Sequence, residues 1–221
     1  MSMTSFPGSP RLLKGGIVLI DPVTSMVRRI IALQYNPDTV TRTLQPQAFG
    51  AESGDRSEAL RLKGPPIETI KVEVEIDATD QLEKPDENAT TVELGLNPQL
   101  AALETILYPD SLRLIENNNL AKSGTLEIVP AQAPLTLFVW SKTRILPVRL
   151  TDYSVTEEAF DTSLNPIRAK VSLGMRVLNV NDLGFDHKGG NLFMVYHQQK
   201  EQLATRGPAG VLGALGLGGI P

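Results

Sequence analysis

The densest acidic cluster in the predicted strand region contains Glu157, Glu158 and Asp161. Two carboxylates a few ångströms apart are the groups with which glycosidases protonate a leaving group and attack a sugar. Adjacent residues of a strand point to opposite faces, so Glu157 and Glu158 would not form such a pair. We therefore expect a solvated strand edge, where charges also discourage unwanted strand pairing. A hydrolase that uses Glu157 or Asp161 stays open as an alternative.

The histidines offer no metal site of the usual spacing. His187 and His197 are ten positions apart, and the Gly189-Gly190 pair between them predicts a break in the chain. Two ligands on one helix face would lie three or four positions apart. The chain has no cysteine, which excludes disulfides, thiol catalysis and Cys-ligated zinc. We therefore expect no metal ligand.

The remaining motifs with a chemical reading are also incomplete. The acidic series over residues 77–87 lacks the alternating oxygen ligands and central glycine of a calcium loop. The glycines of residues 207–213 lack the Gly-Lys-Ser/Thr ending of a phosphate loop. We therefore predict no catalytic, cofactor-binding or metal-binding residue, and a protein that is not an enzyme.

Composition limits the class of partner. The 221 residues are 41% hydrophobic and 21% charged, which is typical of a globular protein with a proper core. The formal charge of -4 argues against nucleic acid or an anionic membrane surface as the main partner. No apolar run reaches the length of a membrane helix, and the first residues do not form a secretory signal. We expect a soluble protein that assembles in the cytoplasm without inserting into a membrane.

The first half of the chain reads mainly as strands. Turn chemistry at Asp21-Pro22 between two apolar runs, 17–20 and 28–33, predicts a hairpin. β-branched residues favour another strand over 39–44. The clearest strand covers residues 66–77, where apolar and charged side chains alternate with the period of a half-buried strand.

The second half continues the same pattern. Asn97 predicts an N-cap, followed by a helix that ends at Pro109 and then by a loose Asn-rich stretch to residue 124. Residues rich in Val, Thr, Ile and aromatics predict four strands, at 135–140, 144–153, 154–161 and 166–178. A last helix is predicted over residues 191–203. This order predicts an α+β, mainly β, antiparallel fold with a C-terminal helix.

We divide the chain into four parts on this basis. Residues 1–13 are expected to be a tail, 14–180 the β domain, 181–206 a helical appendage and 207–221 a Gly-rich apolar tail. A long exposed loop is expected over residues 49–65, and loops of this length are usually functional or mobile.

Five stretches together resemble a known family. Residues 33–42 (LQYNPDTVTR) are similar to the aromatic-Asn-Pro signature of the tube–baseplate adaptor proteins of contractile injection systems, the phage-tail-like devices of bacteria. Residues 14–20 fit the opening strand of that family, and 145–160 and 164–173 fit its long strand pair. Residues 196–204 occupy the place of its last helix. Many relatives also have a C-terminal LysM module, for which the residues after Arg206 are too few.

The resemblance implies a fold and a role. The fold would be a tube-protein-like barrel of two antiparallel sheets with a flanking helix. The protein would be a structural ring subunit, in a hexameric ring, that joins the spike hub to the inner tube and templates tube assembly. Its partners would be copies of itself, the spike hub, an inner-tube or tube-initiator protein and other baseplate proteins, within a phage-tail-like particle that is released or membrane-docked.

Long alternating strands expose backbone edges, and pairing with neighbouring subunits is one way to satisfy them. We therefore expect inter-subunit contacts along residues 66–77 and 145–178, and the loop 49–65 against an adjacent ring. The side chains that we assign to these contacts are Ile70, Val72, Val74, Arg149, Tyr153, Arg168 and Lys170.

Two further alternatives stay open. One is a tube-initiator ring of a contractile phage tail, because the sequence does not separate stacking layers. The other is a ligand-binding β-barrel, which would place aromatic residues on one strand face. The chain has six Phe, four Tyr and one Trp, and they are scattered.

Overall fold

The computed structural model describes residues 13–48, 61–124, 133–207, 210, 212–216 and 218–220. The described strands are β1 (Gly16–Ile20), β2 (Val27–Ala32), β3 (Val40–Gln45), β4 (Ile67–Asp77), β5 (Leu135–Ser141), β6 (Arg144–Phe160) and β7 (Pro166–Val177). The described helices are α1 (Thr79–Leu82), α2 (Ala89–Leu94), α3 (Asn97–Glu104), α4 (Ser111–Lys122), α5 (Val180–Leu183) and α6 (Lys188–Ala204). Short 3-10 turns cover Pro85–Glu87 and Leu212–Leu215.

The seven strands form one antiparallel sheet in the order β2-β1-β5-β6-β7-β4-β3. The prediction of a mainly β, antiparallel α+β fold is therefore confirmed. The finer expectation of two sheets closed into a barrel is not confirmed, because the sheet is open and its outer strands, β2 and β3, do not pair with each other. These two strands are consecutive in the chain, yet their connection crosses from one side of the sheet to the other.

That connection bridges two distant strands through side-chain amides. Gln34 mimics a strand partner of Asp77 in β4, since its Nε2 donates to the Asp77 carbonyl at 2.6 Å and its Oε1 accepts from the Asp77 N–H at 2.9 Å. Two residues later, the Oδ1 of Asn36 accepts from the N–H of Gly15, just before β1, at 2.9 Å. In a flat sheet, β1 and β4 would lie about 19 Å apart, four strand spacings. The sheet therefore curls strongly.

One main core fills the concave side of the curl. The alternating residues Ile70, Val72 and Val74 of β4 are almost fully buried there, as the period of two in the sequence predicts. Apolar residues of β1, β5, β6, β7, α3 and α6 complete this core. A smaller cluster of Ile20, Leu135 and Leu137 lies elsewhere and packs against Leu183 and Leu192 of α5 and α6.

Several predicted elements are confirmed. The β1–β2 hairpin turns at Asp21, whose side chain accepts from the N–H groups of Val23 and Thr24. Strands β3, β4, β5 and β7 and helix α6 lie where the patterns predict them. Helix α3 begins at Asn97, although Leu96 and not Asn97 holds the N-cap position.

Two predictions about the second half were wrong. Residues 144–160 form one strand of 17 residues, β6, where we expected two strands, at 144–153 and 154–161. A bulge between Leu150 and Asp152 bends this strand but does not end it, since its pairing with β7 resumes on both sides. The Asn-rich stretch also contains a helix, α4. Asp110 caps its N-terminus, since the Asp110 side chain accepts from the N–H of Leu112 at 2.9 Å.

The Gly189-Gly190 pair is also not a break, because both glycines lie in the first turn of α6. A Cβ on Gly190 would lie 1.9 Å from the carbonyl oxygen of Gly184, and one on Gly189 would lie 2.4 Å from a methyl group of Leu183. The glycines therefore permit α5 and α6 to approach closely. His187 caps α6, since its Nδ1 accepts from the N–H of Gly189 at 3.1 Å.

Most of the predicted loop 49–65 lies outside the described residues, as do residues 1–12 of the N-terminal tail. At the base of the loop, Ala48 and Leu62 form an isolated antiparallel bridge. Within the described ranges, no helix combines the length and the apolar character that crossing a membrane requires.

Candidate functional site

A long free backbone edge lies on β6. Strand β5 pairs with β6 only from Arg144 to Val148. From Arg149 to Phe160, β6 pairs with β7 on one side. Along its other side, no described strand or backbone hydrogen bond meets it. We call residues 149–160 the β6 overhang.

A second free edge lies three strands away. Strand β3 pairs with residues Ile67–Val72 of β4 and has no described strand on its outer side. Strands β6, β7, β4 and β3 thus form a four-stranded unit that has the β6 overhang at one side and β3 at the other. Unpaired N–H and C=O groups on both sides make this unit a template for further strands.

Three of the predicted contact residues lie in the interior of the chain. Ile70, Val72 and Val74 are 0%, 2% and 2% exposed. Strand β4 is paired on both sides, with β3 and β7, only over Thr69–Val72, so the expected free edge is absent there; from Glu73 to Asp77 it pairs with β7 alone among the described strands. These three side chains pack in the core of the chain.

Two others lie on the exposed face of the sheet. Arg168 and Lys170 point outward from β7, where Arg168 contacts Asp77 of β4 at 2.8 Å and Lys170 contacts Glu158 of β6 at 3.2 Å. A hydrogen bond from the Thr79 hydroxyl and the nearby Arg168 hold the pKa of Asp77 below its ordinary value. This face is polar and stays accessible to water, as the charged half of the alternating pattern predicts.

The last two predicted residues lie on the β6 overhang. Arg149 is exposed and opposite Arg176, which is itself paired with Asp182 at 2.8 Å. Arg149 has no ion-pair partner among the described residues. Tyr153 is half-buried, and its hydroxyl has no hydrogen-bond partner in the described part of the chain.

The environment of Tyr153 favours its neutral form. Burial is the largest cause, and the carboxylates of Glu104 and Glu157 add to it, which together raise the pKa of Tyr153 to about 12. The phenol is therefore protonated at neutral pH and is a hydrogen-bond donor without a described acceptor.

The acidic side chains of the predicted cluster, Glu157, Glu158 and Asp161, do not meet at one site. Glu157 lies opposite Ala169 on one face, and Glu158 lies opposite Arg168 on the other. Asp161 organises the β6–β7 turn by accepting from the N–H of Asn165 at 2.8 Å, and the Asn165 side chain holds its pKa below the ordinary value. Across the described ranges, no group of three or more His, Asp or Glu side chains could hold a metal ion.

A buried ionic cluster was missed from the sequence. Glu68 of β4 is 3% exposed and accepts from Arg42 of β3 and from Lys200 of α6. Arg42 also donates to the hydroxyl of Tyr196 at 2.8 Å. The signal was present, because Glu68 falls on the buried phase of the alternation that contains Ile70.

No protein-family model matches this chain, and no curated protein matches it.

Proposed function

We propose that this chain is a structural ring subunit at the baseplate end of a contractile injection system, where it joins the spike hub to the inner tube. The observation that supports this role most is the four-stranded unit with an unpaired strand edge on each side, the β6 overhang and β3. Copies of such a unit can pair with one another, because the free edge of β6 in one copy can bond to the free edge of β3 in the next.

In the proposed ring, the β6 overhang of one copy pairs with β3 of the next. The contact is head-to-tail, and such contacts close into a ring when the rotation per subunit divides a full circle. The family resemblance implies six copies. The polar face that contains Arg168 and Lys170 would then line a continuous inner wall.

The two-sheet barrel of the tube-protein family belongs to this proposal. Within the chain, the amide bridge of Gln34 and Asn36 supports it, because it draws β1 and β4 toward each other. The sheet of each copy would be completed by its neighbours at the two open edges. The loop 49–65 is proposed to contact an adjacent ring.

The work of such a subunit is mechanical. Each interstrand hydrogen bond between copies satisfies a backbone group that is otherwise left to water, and a closed ring leaves no edge. A stiff collar of this kind would template growth of the inner tube and transmit the force of the baseplate when the device fires. No bond of a substrate is made or broken in this account.

Co-production with the spike hub and tube proteins encoded beside it tests the proposal. Native mass spectrometry and electron microscopy should show a six-fold ring that binds the spike hub on one face and the tube on the other. A ring that binds only tube proteins would support the tube-initiator alternative. A monomer that joins no particle under any condition would overturn both.

A further inference from the structure

A cavity lies between α6, strand β3 and the hairpin of β5 and β6. Its volume is about 570 Å³, and volumes of about 300–1,000 Å³ are typical of small-molecule sites. Its lining combines three cations with two aromatic rings: Arg42, Arg144, Lys200, Trp140 and Tyr196. We call it the α6 cavity. This combination suits a ligand that has both an anionic group and an apolar body.

The charge of the α6 cavity is positive. Among the described residues, no carboxylate lines it. Glu68, which is buried beneath Arg42, offsets one of the three cations. The C-terminal turn of α6 adds a partial negative charge, so a positive excess of roughly 1.5 charges remains.

The donors of these cations are largely unused. Arg144 is half-buried, and no described group accepts from its guanidinium or forms an ion pair with it. Arg42 donates through Nε and Nη2, which leaves its Nη1 without a described acceptor. A guanidinium presents its N–H groups in a planar fork that matches the oxygens of a phosphate. The unused donors therefore indicate an oxyanion, with Arg144 as its main contact.

Trp140 provides the apolar surface. Its ring stacks on Phe138 with the centroids 5.8 Å apart, and a Cβ on Gly15 would lie 2.9 Å from it, so the ring is held in place on those sides. The rest of the indole lines the cavity. The Tyr196 ring is already covered by the Lys200 ammonium, 4.3 Å from its centroid. Trp140 is therefore the aromatic surface that remains for a planar group of a ligand.

We propose that the α6 cavity binds a nucleoside monophosphate, with the base against Trp140 and the phosphate at Arg144. A phosphate monoester has a charge of about −1.5 to −2 at neutral pH, which matches the positive excess of the cavity. Base–aromatic stacking stabilises such a ligand whatever the base is. The hydroxyls of Ser141 and Thr143, which lie 3.2 Å apart in the lining, suit the hydroxyls of a ribose.

The site is independent of the proposed ring. The ring uses backbone groups on the outer edge of β3, whereas the cavity uses the Arg42 side chain, which turns toward the buried Glu68. Arg144 lies in the part of β6 that pairs with β5, before the β6 overhang begins.

The only tryptophan of the chain reports on the site. AMP and UMP are titrated into the full, dispersed chain while Trp140 fluorescence is recorded. We expect at least one of them to change the fluorescence with a Kd below about 1 mM, and the same nucleoside or inorganic phosphate alone to bind at least about 10-fold more weakly. No change with either nucleotide up to about 10 mM would overturn the proposal. So would inorganic phosphate that binds as tightly as the nucleotide, because the base would then make no contact.

Two matched charge removals locate the phosphate. Arg144→Gln should weaken nucleotide binding at least about 10-fold, since it removes charge-assisted hydrogen bonds. Lys142→Gln removes a cation two positions away that is exposed and does not line the cavity, and it should bind like wild type. Circular dichroism should show both variants folded, because Arg144 has no described partner to lose. Equal affinity of the two variants would overturn the assignment of the phosphate to Arg144.

These outcomes are separable from a failure of the proposed ring. If the chain forms rings but neither nucleotide changes Trp140 fluorescence, the site falls and the ring stands. If a nucleotide binds to a chain that joins no particle, the ring falls and the site stands.

Discussion

The carboxylate of Glu68 lies beneath the guanidinium of Arg42, which donates to its Oε1 through Nε at 2.8 Å and through Nη2 at 2.6 Å. This pair joins β3, an outer strand, to β4 in the interior of the sheet. Through Tyr196 and Lys200 it also joins both strands to α6. A buried carboxylate with two cations holds β3 in a fixed position on β4, as the proposed pairing of its outer edge with a neighbouring copy would require.

Removing one partner of this pair should be costly. Arg42→Met leaves Glu68 buried with only Lys200 at 3.3 Å, so we expect a loss of about 3 kcal/mol in the free energy of unfolding. Urea denaturation followed by circular dichroism measures the loss. Glu73→Gln changes a carboxylate on the exposed face of the same strand and should alter stability by less than about 0.5 kcal/mol. Equal losses for both variants would contradict the role of the buried pair.

The packing of α5 against α6 depends on Gly190. Gly190→Ala places a Cβ 1.9 Å from the carbonyl oxygen of Gly184, and backbone cannot yield as a flexible side chain can. We expect a loss of about 2–3 kcal/mol, measured as a lower urea midpoint. In Gly207→Ala, the nearest atom to the new Cβ is 3.5 Å away, an ordinary contact. A Gly190→Ala protein as stable as Gly207→Ala would show that the two helices are not closely packed.

Tyr153 should lose its phenolic proton at a higher pH than an exposed tyrosine. Its pKa is raised to about 12 from an ordinary 10.0, chiefly by burial, so the folded chain keeps its proton while an unfolded chain has lost it. Its contribution to stability is therefore constant below about pH 10 and falls as the pH rises from about 10 to about 12. Absorbance at 295 nm should show one late phenolate transition.

The matched variants assign that transition. Tyr153→Phe should abolish it with little loss of stability, because the hydroxyl has no described hydrogen-bond partner. Tyr108→Phe, at a tyrosine that is 71% exposed, should leave the late transition in place. A late transition that persists in Tyr153→Phe would contradict the assignment to Tyr153.

The sequence predicted where the strands lie in the chain better than which strands pair in the sheet. The alternation of Ile70, Val72 and Val74 predicted both the strand and its buried face, because the period of two is a local property. It did not predict that β3 and β7 would occupy both sides of β4, since strand order depends on which distant segments pair. Free edges were expected along 66–77 and 145–178. The β6 overhang lies within the second range, whereas β4 is paired on both sides over Thr69–Val72.

Helix α4 shows a different limit. The local helix propensity is low at Asn117, Asn118 and Asn119, so the sequence did not predict the helix that is capped by Asp110. The only sign of the buried Glu68–Arg42 pair in the sequence is that Glu68 falls at a position of β4 where the alternation predicts a buried apolar residue. Its partner in β3 is fixed by tertiary structure and has no sequence signal.

Hydrogen exchange tests the central claim most directly, that neighbouring copies complete the open edges. Amides of the assembled particle and of the dispersed chain are compared by mass spectrometry over residues 149–160 and 40–45. We predict that every second amide in both segments, those that face away from β7 and β4, becomes protected on assembly, while residues 67–72 exchange slowly in both states. Equally fast exchange of 149–160 and 40–45 in the particle and in the dispersed chain would contradict the account.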